Sequence, residues 1–219
     1  MGAALFTAGL FKKLWIADPC GDIANPIFGA PAGAALSSAD AWIGALAYTA
    51  QLYFDFSAYS DMALGLAHLL GIVLPRNFES PYQSRSIIEF WRRWHITLSS
   101  FLRDYLYFPL GGNRKGPLRR HLNLLLTMTL GGLWHGAGWT FVLWGLLHGL
   151  FLSANHLWQS AGFRLHPALA WPVTLLAVVL AWIPFRSATM ERALDMYLAM
   201  LVAGGSGTSS FADGRSALV

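Results

Sequence analysis

Gly131-Gly132-Leu133-Trp134-His135-Gly136-Ala137-Gly138-Trp139 sets one imidazole in a short glycine-rich break between two apolar segments, residues 121–130 and 140–152. A histidine in such surroundings is costly unless it faces a bundle interior or a wet cavity. Irregular backbone at membrane depth survives only where protein buries it or a cavity solvates it. The four glycines permit unusual backbone angles and let other groups approach the chain closely. The stretch reads as a buried site holding a titratable group. The structural alternative is a helix–helix turn whose histidine caps a carbonyl.

Working outward, the composition agrees with a membrane setting. Of 219 residues, 55% are hydrophobic and 12% charged, about half the usual charged share of a soluble domain. Ten Trp, fourteen Phe and seven Tyr supply the aromatic bulk that gathers at membrane interfaces. The expected fold class is all-α, a polytopic transmembrane helical bundle with re-entrant or interfacial helices. The net charge of +4 comes from clusters such as Arg114-Lys115 and Arg119-Arg120. Positive-inside loops explain such clusters, whereas nucleic acid would call for a broad basic face; no nucleic-acid partner is expected. Cys20 stands alone, so an internal disulfide is excluded.

Along the chain, residues 3–16 are apolar but short for a span, which needs about 20 residues. Lys12 and Lys13 mark an interfacial helix or the tail of a longer span. Residues 17–39, with Pro19, Pro26 and Pro31, are expected to form a loop. A helix begins near 41, capped by Ser38 or Asp40. The polar run 53–61, with Asp55 and Asp61, then divides 41–74 into two half-spans or kinks one long helix. Those carboxylates line a pathway or cap the second half. His68 is expected to be a hydrogen-bonded packing residue. Ser86 and Glu89 have capping-box spacing at the head of a helix over 86–105, on which Trp91, His95, Leu98 and Leu102 share a face. Glu89 reaches Arg92 or Arg93. Further helices are expected over 139–158, 167–183 and 189–201, and a disordered tail over 203–219. The whole, 1–219, is expected to be a single membrane-embedded domain, an internal and C-terminal portion of a longer protein.

Little chemistry can be built from local motifs. His148 and His156 are eight positions apart, about 80° around and ~12 Å along a helix, and no histidine pair has the three- or four-residue spacing of a helix-borne metal site. A metal site would need ligands from several helices, and none is expected. The nucleophile elbow Gly-x-Ser-x-Gly is absent. Histidine as a general base remains, able to take the proton of an alcohol attacking an activated acyl group; proton relay is the other use of the same residues.

Two longer motifs carry a resemblance. Trp91-Arg92-Arg93-Trp94-His95-Ile96-Thr97-Leu98-Ser99, continued by Phe101-Leu102-Arg103-Asp104-Tyr105-Leu106-Tyr107, and the 131–139 stretch resemble the membrane-bound O-acyltransferases, and within them the bacterial alginate O-acetyltransferase branch. Supporting matches are Phe11-Lys12-Lys13, the run 53–63, Leu74-Pro75-Arg76-Asn77-Phe78 and Pro109-Leu110-Gly111-Gly112-Asn113-Arg114, in one order over about 9 to 185.

The resemblance implies a helical bundle around a central tunnel. The family's essential histidine falls on His135, which would be the base, and its second polar position on His95, an orienting or charge-stabilising partner. Trp91, Arg92, Trp94 and Trp134 would shape the tunnel, with the arginines facing an anionic donor or the cytoplasmic leaflet. The implied activity is transfer of an acyl group, acetyl above all, to hydroxyls of an exported polysaccharide such as alginate, or to a periplasmic or extracellular partner enzyme that completes the transfer. No cofactor is expected to be bound, and the donor would be acetyl-CoA or a carrier-bound acyl group. The implied location is the bacterial inner membrane, multi-pass, in contact with lipid. The alternatives are a non-catalytic acyl or proton transport subunit and an inactive truncated fragment.

Overall fold

The computed structural model describes residues 1–202, so the tail expected over 203–219 lies outside the described residues. Among the described residues the structure is all helical, with nine α-helices.

The chain opens as one rod. Helix α1 (Gly2–Lys12) runs through a π turn (Lys13–Ala17) into α2 (Asp18–Gly29), where residues 17–39 were expected to form a loop. The wide turn, in which the Asp18 N–H donates to Lys13 O, falls just ahead of Pro19, which has no N–H to give. The proline therefore interrupts nothing. Pro26 is taken up inside α2 as well.

Helix α3 (Ser38–Leu69) is the longest at 32 residues, about 48 Å. Ser37 caps it, accepting from Asp40 N (3.0 Å) and donating to Asp40 Oδ2 (2.8 Å). The helix passes without a break through the polar run 53–61, so neither Asp55 nor Asp61 caps a second half. They face the rod instead: Lys12 Nζ lies 2.6 Å from Asp61 Oδ2, and Lys13 Nζ sits 2.9 Å from Asp55 and 2.7 Å from Asp18. Two lysines that looked like a helix terminus are the counter-charges of a neighbouring helix. His68 is exposed rather than packed, its Nδ1 2.9 Å from Leu64 O.

The helix expected over 86–105 breaks. Helix α4 (Ile87–Arg93) ends at an extended Trp94, and α5 (Ile96–Leu102) starts after His95, whose φ of 42° is left-handed. Trp91 and His95 thus do not share one continuous helix face. The passing segment 77–79 takes the freed backbone groups: Ile96 N donates to Asn77 O (2.9 Å) and Glu79 N to Arg93 O (3.0 Å). Neither Gly nor Pro marks the break; tertiary hydrogen bonding outcompetes helix propensity. Half of the capping box forms: Glu89 N donates to Ser86 Oγ (3.1 Å), while the Glu89 carboxylate accepts from Arg85 N (2.8 Å) and pairs with Arg93 at 2.7 Å.

Beyond a π turn (Arg103–Tyr107), α6 (Pro117–His135) and α7 (Trp139–Ser160) form a helical hairpin joined by Gly136-Ala137-Gly138. The break foreseen over 131–138 is shorter than expected, because α6 continues through both Gly131 and Gly132. Their packing depends on missing side chains: a Cβ on Gly132 would lie 2.2 Å from Phe141 O, and one on Gly145 2.3 Å from Met128 O. Close backbone approach through small residues is the way helices associate where lipid removes the hydrophobic drive.

Helices α8 (Pro167–Arg186) and α9 (Met190–Leu201) complete the described chain. Arg192, 2% exposed, ties α9 to the carbonyl of Ile27 at the end of α2. The core is aromatic, with Trp182, Trp144, Phe90 and Trp94 buried together between α4, α7 and α8. Among the described residues only α8 is both long and apolar enough to cross a membrane, where several spans were expected.

Candidate active site

His135 is the last residue of α6, and the chain leaves it through an extended Gly136. Its ring is met edge-to-face by Trp134 (centroids 5.0 Å), Trp144 (5.1 Å) and Phe185 (5.3 Å). A Cβ on Gly136 would meet the Phe141 ring at 2.4 Å, so the glycine after the histidine is needed for the hairpin to close. Aromatic walls orient the imidazole while its nitrogens keep no hydrogen-bond partner among the described residues. That leaves both free for a substrate.

His95 is held differently. It sits at the break between α4 and α5 in a left-handed conformation, which a histidine adopts more readily than most residues but still at a cost. Asn77 compensates. Its Oδ1 is 3.1 Å from His95 Nδ1, 3.0 Å from Thr97 Oγ1 and 3.3 Å from Thr97 N. Donation from the Thr97 backbone N–H identifies that atom as oxygen, so His95 Nδ1 carries the proton and Nε2 is left as an acceptor. The Phe56 ring packs edge-on against the imidazole at 4.8 Å. His135 lies within electrostatic reach of His95. Asn77→Ala is therefore expected to reduce acyl transfer about fivefold, the worth of one hydrogen bond of ~1 kcal/mol, while leaving substrate KM near its original value. A fall in KM-dependent rate alone would show that Asn77 serves binding instead.

The other predicted residues divide by location. Trp91 and Trp94 are buried in the aromatic core, behind the histidines. Arg92 is exposed and, with Trp91, lines a cavity that neither His95 nor His135 touches. Trp134 is 67% exposed, an outward-facing ring with only its edge on His135, and forms no enclosed wall among the described residues.

One residue was missed. His148, in the middle of α7, is fully buried, and its Nδ1 accepts from Trp91 Nε1 (3.2 Å). The neutral ring must therefore carry its proton on Nε2, which has no partner, as has the indole nitrogen of Trp144 beside it. Trp144 stands between the two imidazoles, 5.1 Å from His135 and 5.0 Å from His148. Considered only as one of a pair with His156, His148 showed nothing in sequence. The signal was its place within Gly145-Leu146-Leu147-His148-Gly149, where glycines at both ends let the α6 backbone approach α7 closely.

Comparison with known proteins bears on the same residues. The family model described as MBOAT, membrane-bound O-acyltransferase family, matches residues 36–196. The chain is 47% identical over 209 residues to a peptidoglycan O-acetyltransferase of Helicobacter pylori, covering 94% of this chain and 39% of that protein. It is 49% identical over 204 residues to a probable alginate O-acetylase AlgI of Pseudomonas aeruginosa, covering 93% of this chain and 39% of the relative. A teichoic acid D-alanyltransferase of Bacillus subtilis is 30% identical over 144 residues, 62% of this chain and 36% of its own length. The chain thus spans about two fifths of the length of the acetylating relatives it matches. With the family model reaching from the cap of α3 into α9, and so across His95, His135 and His148, the chain belongs to the membrane-bound O-acyltransferase family.

Proposed function

We propose that this chain carries the catalytic centre of an O-acetyltransferase that acts on hydroxyls of an exported polysaccharide, directly or through a partner enzyme, within a polytopic bundle of the bacterial inner membrane. The observation that carries the reading is the convergence of His95 and His135, each on a break in the helical frame, in a chain nearly half identical to relatives named for polysaccharide acetylation. The outward row Leu118, Leu122, Leu126 and Leu130 on α6 suits a helix facing lipid. On this reading residues 1–219 are one membrane-embedded unit.

The chemistry follows from the two imidazoles. The acceptor hydroxyl donates its proton to His135 as its oxygen attacks the acyl carbon of a thioester, acetyl-CoA or a carrier-bound acyl group. The tetrahedral intermediate collapses, the C–S bond breaks, and the thiolate leaves with the bonding pair; the proton on His135 passes to that sulfur. His95 contributes a fixed acceptor at Nε2, suited to holding the acceptor hydroxyl in line. Trp144 and Phe185 keep water away from the pair.

The test uses the full-length protein, purified and supplied with labelled acetyl-CoA and a small alcohol. Appearance of the acetyl ester supports direct transfer. No ester with the alcohol, but label passed to a partner enzyme, would make the protein a donor to that enzyme. Hydrolysis and transfer both absent with acetyl-CoA and with an acyl carrier would overturn the reading in favour of transport.

A further inference from the structure

Away from the histidine pair, an open cavity of about 470 Å³ lies between the α4–α5 break, α6 and α7. Neither His95 nor His135 lines it. Trp91 forms its inner wall, so the same indole that hydrogen-bonds His148 separates the cavity from the catalytic core. Most of its lining is apolar, with Ile96, Leu124 and Leu152 prominent. Its polar lining includes Arg92 and His156 together with Arg103, Tyr107 and Asn113.

That rim is basic and lacks counter-charges. Glu89 is taken by Arg93, and Asp104 by Arg103 at 2.7 Å; the Arg103 guanidinium holds the Asp104 carboxyl below the usual carboxylate range. Among the described residues Arg92 and Arg120 have no carboxylate partner, and Arg92, Arg120 and His121 all lie within electrostatic reach of His156. Arg120 Nε and both His121 nitrogens are buried without hydrogen-bond partners. Deeper in, Thr127 is 4% exposed, lines the cavity, and its hydroxyl has no partner either. Buried polar groups left unpaired are rare; here Thr127 faces a largely apolar void, and Arg120 and His121 lie outside its lining, close to His156.

The neighbouring loop, with Arg114, Lys115 and Arg119, sits on the cytoplasmic side by the positive-inside rule. Basic pockets between helices on that side fit the head groups of the anionic lipids concentrated in that leaflet. We propose that this cavity is a lipid site: the phosphate of an anionic phospholipid seats against Arg92 and His156, one acyl chain lies along Ile96, Leu124 and Leu152, and the Thr127 hydroxyl donates to an ester oxygen. The site is separate from the acyl-transfer centre and does not depend on the chemistry proposed there.

The test measures the unfolding temperature of the purified chain in nanodiscs of phosphatidylcholine, titrated with phosphatidylglycerol. A ligand that binds only the folded state raises that temperature with its concentration. The expected result is a saturable rise with phosphatidylglycerol, and a midpoint shifted by about tenfold or more in Arg92→Gln/His156→Gln, which removes charge-assisted bonds. Arg119→Gln, an exposed charge in the first turn of α6 that does not line the cavity, should leave the midpoint unchanged. The double variant must unfold at the wild-type temperature in phosphatidylcholine alone; if it does not, the single Thr127→Val replaces it, with a smaller shift expected. Equal response to both lipids, or an unaltered midpoint in the variants, overturns the proposal. So does displacement of the lipid by coenzyme A or inorganic phosphate, which would make the rim a site for a soluble anion.

Discussion

His135→Ala is expected to lower acetyl transfer by about 10²–10⁴-fold, the range that a positioned general base contributes, with the loss falling on kcat. The side chain is half-buried at a helix end, and its neighbours Trp144 and Phe185 are anchored by contacts to Trp182 as well. Removing the imidazole leaves that frame standing, so the protein should reach the membrane in normal amount. His135→Gln sharpens the experiment, since it fills the aromatic cage and keeps a polar tip but cannot take a proton. Both variants should be equally inactive. Full activity in His135→Gln would mean that the residue positions substrate by hydrogen bonding, and activity in both would remove it from the chemistry. His95→Gln should be milder, because Asn77 and Phe56 can still hold a side chain that accepts a hydrogen bond.

The second large effect is expected at a residue with no side chain. In Gly145→Ala the new Cβ would fall 2.3 Å from Met128 O and 2.9 Å from Thr129 Cα. Backbone cannot rotate out of the way as a flexible side chain can, so α6 and α7 must separate. Overpacking of this kind costs about 1–3 kcal/mol, a large share of the ~5–15 kcal/mol that holds a domain folded. For a chain of this size the unfolding temperature should fall by about 2–4 °C per kcal/mol. Acyl transfer should fall further than stability does, because His135 is three residues beyond Gly132, which meets Phe141 O in the same seam. Gly131→Ala is the internal control: its Cβ would touch only the tip of Leu102, at 3.0 Å, and the leucine can move. A wild-type unfolding temperature in Gly145→Ala would show that the helices do not meet as closely as described.

The helical class was legible because that reading rested on local features such as apolar runs and caps, and the glycine-flanked imidazole marked the end of α6, whereas the roles given to His95 and His135 came from the family resemblance. The sequence misjudged whatever depended on a distant segment. The polar run 53–61 looked like an interruption, since Lys12 and Lys13, which neutralise it, lie 49 and 42 positions away from Asp61 and Asp55. The helix over 86–105 looked continuous, because the groups that break it come from Asn77 and Glu79. Prolines at 19 and 26 suggested a loop, and a single π turn makes room for the first of them. His148 was invisible for the same reason: an isolated histidine on an apolar helix gains meaning only when Trp91 arrives to donate to it.

The lysine–aspartate pairs between the opening rod and α3 bear on how such a protein is made. At the middle of a bilayer a lone Lys or Asp costs about 2.5–3.5 kcal/mol to insert. If the rod and α3 cross the bilayer as proposed, Lys12 finds its counter-charge only on α3, whereas Lys13 has Asp18 of the rod as well as Asp55, so the rod by itself is a poor candidate for release into lipid. The nascent rod is therefore best retained beside the insertion machinery until α3 has emerged, and the two partition as one. Assembly of this region is then a matter of timing as much as of hydrophobicity: a pause in translation after residue 37 would strand Lys12, and reversing the sign of Lys12 or Asp61 would block both helices at once.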